Sequence, residues 1–337
     1  MDLRMKEYHN VIDPNTHAEM IVDTSDDSIA VDVSNKPESE IDSIEPNRID
    51  VDFVKTPQSW NKYLNKDVIP IKNKESPKVI GLEYISRPEL SLLEAHGLQV
   101  LFYMADKDRF RYKDMPDTEL GEIAIVFKMP DYLEIFGVAR RTDGKGFDNW
   151  CRIEAIEAIR SLKKQHILYR FKIIERGEMK FTELKDDTIL LSLKGLHVDG
   201  DEDKNLIGFK VVLSEILTFN MGYFTLVSLD FYSRVRKLAE ASDSKYLYRL
   251  SMYIMSRVGD DIINRDYRFK VVRNMMELAE TIGMSKQRPS KTKKTINNLL
   301  NKLIRAEHIT KFDISEGAAG QYKVEIQANR MMYKLKI

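Results

Sequence analysis

Apolar residues recur at helical spacing twice near the C-terminus. Met275, Leu278, Ala279 and Ile282 fall on one side of the stretch 274–282, and Gly283 follows as a helix-ending turn residue. Ile296, Leu299, Leu300, Leu303 and Ile304 then mark one face of a longer helix over 290–305. At about 100° per residue, the opposite face of that helix carries Lys291, Lys294, Asn298 and Lys302. No carboxylate lies between Lys286 and Arg305. Alternation over 308–315 and 321–328 predicts two strands paired around the turn-rich loop 316–320.

A similar succession lies upstream. Leu90, Leu93, Leu98, Leu101 and Phe102 give a helix over 88–104, and residues 122–128 read as a short strand. Pro130 opens a helix with Tyr132, Leu133, Ile135 and Phe136 on its apolar side, and Gly137 closes it. Asp148 is placed to cap a helix over 149–165 that buries Cys151, Ala155, Ala158, Ile159 and Leu162. Its other side holds Glu154, Glu157, Arg160 and Lys164, carboxylates that disfavour close approach to phosphates. Stretches 167–174, 180–184 and 188–193 read as strands of an extended wing, and 209–217 and 223–229 as strand or mixed structure. A helix then runs from Asp230 or Ser233 toward Ala241, another over 244–258, and a strand over 267–272 precedes the C-terminal pattern. Helix, strand, helix, turn, helix and wing therefore occur twice. The expected fold is α+β, two tandem winged-helix domains over 77–229 and 230–337 behind an acidic N-terminal tail.

Residues 1–76 carry 16 acidic and 9 basic side chains and lack sustained periodicity, a composition expected to remain mostly disordered. Phe53, Trp60 and Tyr63 mark a segment within it expected to lie on the folded body. Residues 245–337 reverse the balance with 19 basic against 9 acidic side chains. An acidic head and a basic end fit a nucleic-acid binder with a polar tail. A single cysteine, Cys151, excludes an intramolecular disulfide, and no apolar run approaches the ~18 residues of a membrane span. With no hydrophobic signal region at the start, the chain reads as cytoplasmic and without a membrane partner.

Candidate chemistry thins out under the same scrutiny. Gly144-Lys145-Gly146 lacks the Walker spacing, and the acidic loop 197–205 lacks the glycine and terminal Glu of a calcium loop. His9, His17, His96, His166, His197 and His308 are scattered, with no zinc spacing and no nucleophile elbow. No enzyme activity, metal or cofactor is expected. The chemistry that fits is double-stranded DNA binding. Lys291, Lys294, Asn298 and Lys302 are expected in a major groove, with Arg273, Lys286 and Arg288 on phosphates and Lys311 and Lys323 on the flanking backbone. Arg140, Arg141 and Lys145 are the phosphate candidates of the first domain.

Three stretches resemble the iteron-binding plasmid replication initiators of bacteria. They are GEIAIVFKMPDYLEIFGV (121–138), YFTLVSLDFYSRVRKLAEASDSKYLYRLSMYIMSRVG (223–259) and ELAETIGMSKQRPSKTKKTINNLLNKLIRAEHI (277–309). The resemblance implies that the second winged helix makes the main base contacts with repeated origin sites. It also implies that the first contacts DNA less specifically and forms a homodimer, and that host replication proteins are partners. A winged-helix transcriptional regulator or protein-interaction scaffold would use the same elements.

Overall fold

The computed structural model describes residues 8–12, 19–23, 52–57, 60, 69–70, 78–111, 123–142, 144, 146–197, 206–218, 224–263, 268–285, 288–317 and 321–334. The chain is α+β. Strands β1 (Tyr8–Ile12) and β2 (Glu19–Asp23) pair as a hairpin, and β3 (Phe53–Pro57) and β4 (Ile69–Pro70) follow. Strand β5 (Val79–Ser86) leads into helix α1 (Leu92–Ala105). Ser91 and Glu94 form a reciprocal capping box at the start of α1, each side chain accepting the other's backbone N–H. Strand β6 (Ile123–Lys128) runs without a loop into α2 (Met129–Phe136), and α3 (Asn149–Leu162) begins after Asp148, whose carboxylate accepts the Cys151 N–H at 2.9 Å.

Strands β7 (His166–Glu175), β8 (Glu178–Phe181), β9 (Lys185–Thr188), β10 (Leu190–His197) and β11 (Leu206–Leu213) come next, then the short helix α4 (Glu215–Thr218) and β12 (Phe224–Ser228). Helix α5 (Phe231–Arg236) joins this half to α6 (Ser244–Ile263), β13 (Lys270–Asn274), α7 (Met275–Thr281), α8 (Pro289–Arg305), β14 (Ile309–Glu316), β15 (Tyr322–Ala328) and β16 (Tyr333–Lys334).

Two copies of one arrangement emerge. In the second, α6, β13, α7 and α8 precede the β14–β15 hairpin, and β13 pairs with β15 in the three-stranded antiparallel order β13-β15-β14. In the first, α1, β6, α2 and α3 precede the β10–β11 hairpin, and β6 pairs with β11 in the order β6-β11-β10. Residues of the strand-helix-turn step match at a constant offset. Ile125, Met129, Tyr132, Leu133, Phe136 and Val138 are buried, as are Val271, Met275, Leu278, Ala279, Ile282 and Met284. After each short helix the chain turns through a glycine in the left-handed region, Gly137 at φ 83° and Gly283 at φ 74°. The next N–H, from Val138 or Met284, donates to Leu133 or Ala279 at 2.9 Å in both copies.

The expected extended wing is corrected by the pairing. Strands β7, β8 and β9 do not join β6 but form a separate sheet with β5 and β4, inserted between α3 and the β10–β11 hairpin. Alternation marks these segments as strands, but register with a distant partner such as β5 is not a local property. Strands β7 and β8 of this sheet leave Ile174, Met179 and Phe181 exposed. The expected helix running toward Ala241 is shorter, ending at Arg236.

The stretch expected to be mostly disordered contributes to the folded body. Strand β3 pairs antiparallel with β12, which on its other edge pairs with β16, so one small sheet ties together three distant parts of the chain. Val54 and Trp60 are buried; the Arg87 guanidinium lies 3.2 Å from the centre of the Trp60 ring and donates to its carbonyl. Tyr63 lies outside the described residues. No helix among the described residues is long and apolar enough to cross a membrane.

Candidate nucleic-acid interface

Helix α8 starts at Pro289, a residue suited to the first turn of a helix. Thr292, Ile296, Leu299, Leu300 and Leu303 bury one face. The stripe centred opposite them is exposed and consists of Ser290, Lys291, Lys294, Asn297, Asn298, Asn301 and Arg305. Lys291, Lys294 and Asn298 are thus presented to solvent as expected, and Arg288 is exposed at the N-cap. Asn297 and Asn301 belong to the same stripe and were missed. The signal was the spacing of Lys294, Asn297, Asn298 and Asn301 at i, i+3, i+4 and i+7, hidden because the polar face was centred one turn edge away, on Lys291 and Lys302.

Lys302 is corrected. It is buried, and its Nζ donates to Asp243 at 2.6 Å and to Glu240 at 2.7 Å. Burial opposes its charge, but the hydrogen bonds to Asp243 and Glu240 outweigh that and hold its pKa above the usual lysine value. The turn between α5 and α6 that carries the two acids covers the edge of the helix face at Lys302, which helix periodicity alone cannot reveal. The stripe from Ser290 to Arg305 stays open along its length, and Lys302 lies at its covered edge.

The remaining expected residues separate into groups. Arg273 and Lys323 come together at the turn end of the β14–β15 hairpin, lining an open concavity of about 470 Å³ with Asn274, Gln321 and Tyr322. Both are paired, Arg273 with Glu277 at 3.0 Å and Lys323 with Glu325 at 2.7 Å. Glu325 also accepts from Lys270 at 2.6 Å, and hydrogen bonds from Lys270 and Lys323 hold its carboxyl down to about 2. The Lys293 ammonium lies 4.5 Å from the Tyr322 ring centre and links α8 to this hairpin. Lys311 is exposed on β14. Lys286 and Lys145 lie outside the described residues.

In the first copy, Arg140 is exposed, paired with Glu134, and its guanidinium lies 5.0 Å from the Phe147 ring centre. Arg141 is exposed in the loop before α3, its N–H donating to Gly146 at 2.9 Å. Helix α3 offers no counterpart of the α8 stripe. Aligning Ala155, Ala158, Ile159 and Leu162 with Ile296, Leu299, Leu300 and Leu303 puts Trp150 at the place of Lys291, Ile156 at that of Asn297 and Glu157 at that of Asn298. Ile156 is buried, Glu157 pairs with Arg160 at 3.1 Å, and Trp150 is 67% exposed. Glu154 is held by Arg236 at 2.9 Å. Cys151 is half-buried, less enclosed than expected.

No cluster of three or more His, Cys, Asp or Glu that could hold a metal occurs among the described residues. Neither a protein-family model nor a curated protein matches the chain. Among solved structures, the chain is similar to selenomethionine derivatives of domain 2 and domain 3 of RctB, with a TM-score of 0.42 and 12% identity over 81% of this chain and 99% of that one.

Proposed function

We propose that the chain binds double-stranded DNA sequence-dependently, with α8 as the reading helix of a winged helix-turn-helix and the β14–β15 hairpin as its wing. The carrying observation is the exposed α8 stripe, where lysines and primary amides stand together and no carboxylate interrupts them. Lysine supplies phosphate and base-edge charge there, and asparagine supplies the paired donor and acceptor that base edges require. The first winged helix serves as a backbone-contacting and pairing module, since Glu157 and buried Ile156 occupy the positions that α8 uses for amides. Exposed ion pairs such as Arg140–Glu134 are worth little in water, so Arg140 exchanges its carboxylate for a phosphate at small cost. The biological role proposed is initiation of plasmid or episome replication from repeated origin sites, which rests on the resemblance of residues 121–138, 223–259 and 277–309 to iteron-binding initiators.

Selection of bound fragments from genomic or random duplexes at near-physiological salt tests this function. Tandem direct repeats of a short motif beside an AT-rich stretch are expected. A single inverted repeat beside a promoter would move the reading to a transcriptional regulator, and absence of enrichment would overturn sequence reading by α8. With Arg140, Arg273, Arg288, Lys311 and Lys323 on phosphates, log affinity should fall with log salt at a slope of about −4 to −5.

A further inference from the structure

The α8 stripe carries more chemical information than its charge. Its central four residues, Lys294, Asn297, Asn298 and Asn301, follow the i, i+3, i+4, i+7 spacing by which homeodomain helices place four side chains on base edges. All four are exposed. The Asn301 amide is engaged on its own helix, its Nδ2 donating to the Asn297 carbonyl at 2.9 Å. Asn297 and Asn298 have no such tie, and neither amide has a partner among the described residues. They flank Lys294 on either side of the stripe's midline, so they face neighbouring base pairs.

A primary amide pairs bidentately with one base in the major groove. Its N–H donates to adenine N7 while its oxygen accepts from adenine N6; guanine shows two acceptors there and leaves the amide oxygen opposed to O6. Guanine is the usual partner of arginine, and within α8 the exposed stripe holds no arginine before Arg305 in the last turn. Thr292, which could have added a methyl contact, is buried on the opposite face.

We infer that the DNA site read by α8 has two neighbouring A·T pairs at its core, recognised through adenine N6 and N7 by Asn297 and Asn298. This rests on the proposed reading-helix role of α8 and adds the base identity and a second specificity residue. The two amides are on adjacent residues, so the two adenines lie on adjacent or next-adjacent base pairs. Lys294 between them then reaches a flanking guanine or the phosphate between them.

The test uses the full chain and the short motif recovered by selection from random duplexes. Two A·T pairs within the core are expected. Replacing either adenine by 7-deazaadenine, which removes N7 and keeps pairing, should weaken binding about ten-fold. Asn297→Ala should abolish the preference at one of the two positions and Asn298→Ala at the other, with unchanged circular dichroism and unchanged affinity for scrambled duplex. A recovered motif with G·C at both core positions overturns the inference while leaving DNA reading by α8 intact. Tolerance of 7-deazaadenine at both positions, or equal preferences in N297A and parent protein, does the same. Failure to recover any motif overturns the DNA-reading function itself, and the base assignment with it.

Discussion

Lys294 and Lys302 lie about two turns apart on one helix, yet their surroundings give them opposite roles. Lys294 is exposed, so Lys294→Ala should leave the unfolding free energy within about 0.5 kcal/mol of the parent while reducing the salt slope of DNA binding by about one or relaxing base preference. Lys302→Ala removes the partner of Asp243, whose side chain is only 10% exposed, and should cost about 2 kcal/mol of stability. Denaturant titration beside DNA affinity separates the two, and a K302A protein of full stability but weak binding would restore Lys302 to the interface. His96 and His308 give the residue scale a pH signature. Their Nε2 atoms lie 3.0 Å from the Phe136 carbonyl and 2.7 Å from that of Phe231, and burial lowers their pKa to about 4 and about 3. An unfolded histidine titrates near 6.5, well above both folded values. The stability gained by keeping them neutral is thus complete above about pH 6.5 and lost as pH falls toward their folded values. The double variant His96→Gln, His308→Gln should lose less stability between pH 7 and pH 4.5 than the parent; equal slopes would show that other groups set the acid limb.

Each short helix, α2 or α7, ends in the same device, a left-handed glycine followed by a buried apolar residue, and the two glycines differ in what surrounds them. At Gly137 an added Cβ meets nothing within 4 Å, so Gly137→Ala costs only the backbone conformation, about 1 kcal/mol. At Gly283 the Cβ would fall 1.5 Å from Arg249 Nη1. Arg249 must then leave, giving up its hydrogen bond to the Ile282 carbonyl at 3.1 Å and its ion pair with Glu89 at 2.7 Å. Gly283→Ala is expected to lower the melting temperature clearly more than Gly137→Ala, and an equal drop would exclude Arg249 as the reason. This scale was the most legible in the sequence. Spacing of Tyr132, Leu133 and Phe136 and of Leu278, Ala279 and Ile282, each closed by glycine, is local information that fixes the helices and their repetition. Lys302 was misplaced because the acidic turn covering it comes from residues 240–243, and the β7–β9 insertion was misassigned because its partner strand β5 lies upstream of three helices. Both are tertiary facts. Asn297 is as legible as Asn298, because the buried face of Ile296, Leu299, Leu300 and Leu303 that it opposes is set by local spacing.

At the level of the whole molecule, the two halves that repeat one strand-helix-turn arrangement are bound to each other by more than a linker. Arg236 of the joining helix α5 spans to Glu154, and Glu89 receives both Lys245 at 2.5 Å and Arg249. Beside these contacts lies the β3-β12-β16 sheet, in which a strand from the acidic N-terminal stretch and one from the C-terminal end flank the connecting strand. Removing residues 1–76 would therefore strip one edge of β12 and take away Val54 and Trp60, two buried core residues. Truncating a buried Trp to Ala alone costs about 3–5 kcal/mol, against a typical total stability of 5–15 kcal/mol. In a chain of this size about 1 kcal/mol moves the melting temperature by roughly 2–4 °C. A protein starting at residue 77 should accordingly melt on the order of 10 °C below one starting at residue 50, which keeps β3 and Trp60, and Trp60→Ala in the full chain should reproduce most of that loss. Equal melting temperatures for the two truncated forms would mean that β3 adds nothing to the body. A lower melting temperature with DNA affinity retained below the transition would place the N-terminal strand in holding the halves together and leave the reading of DNA to α8.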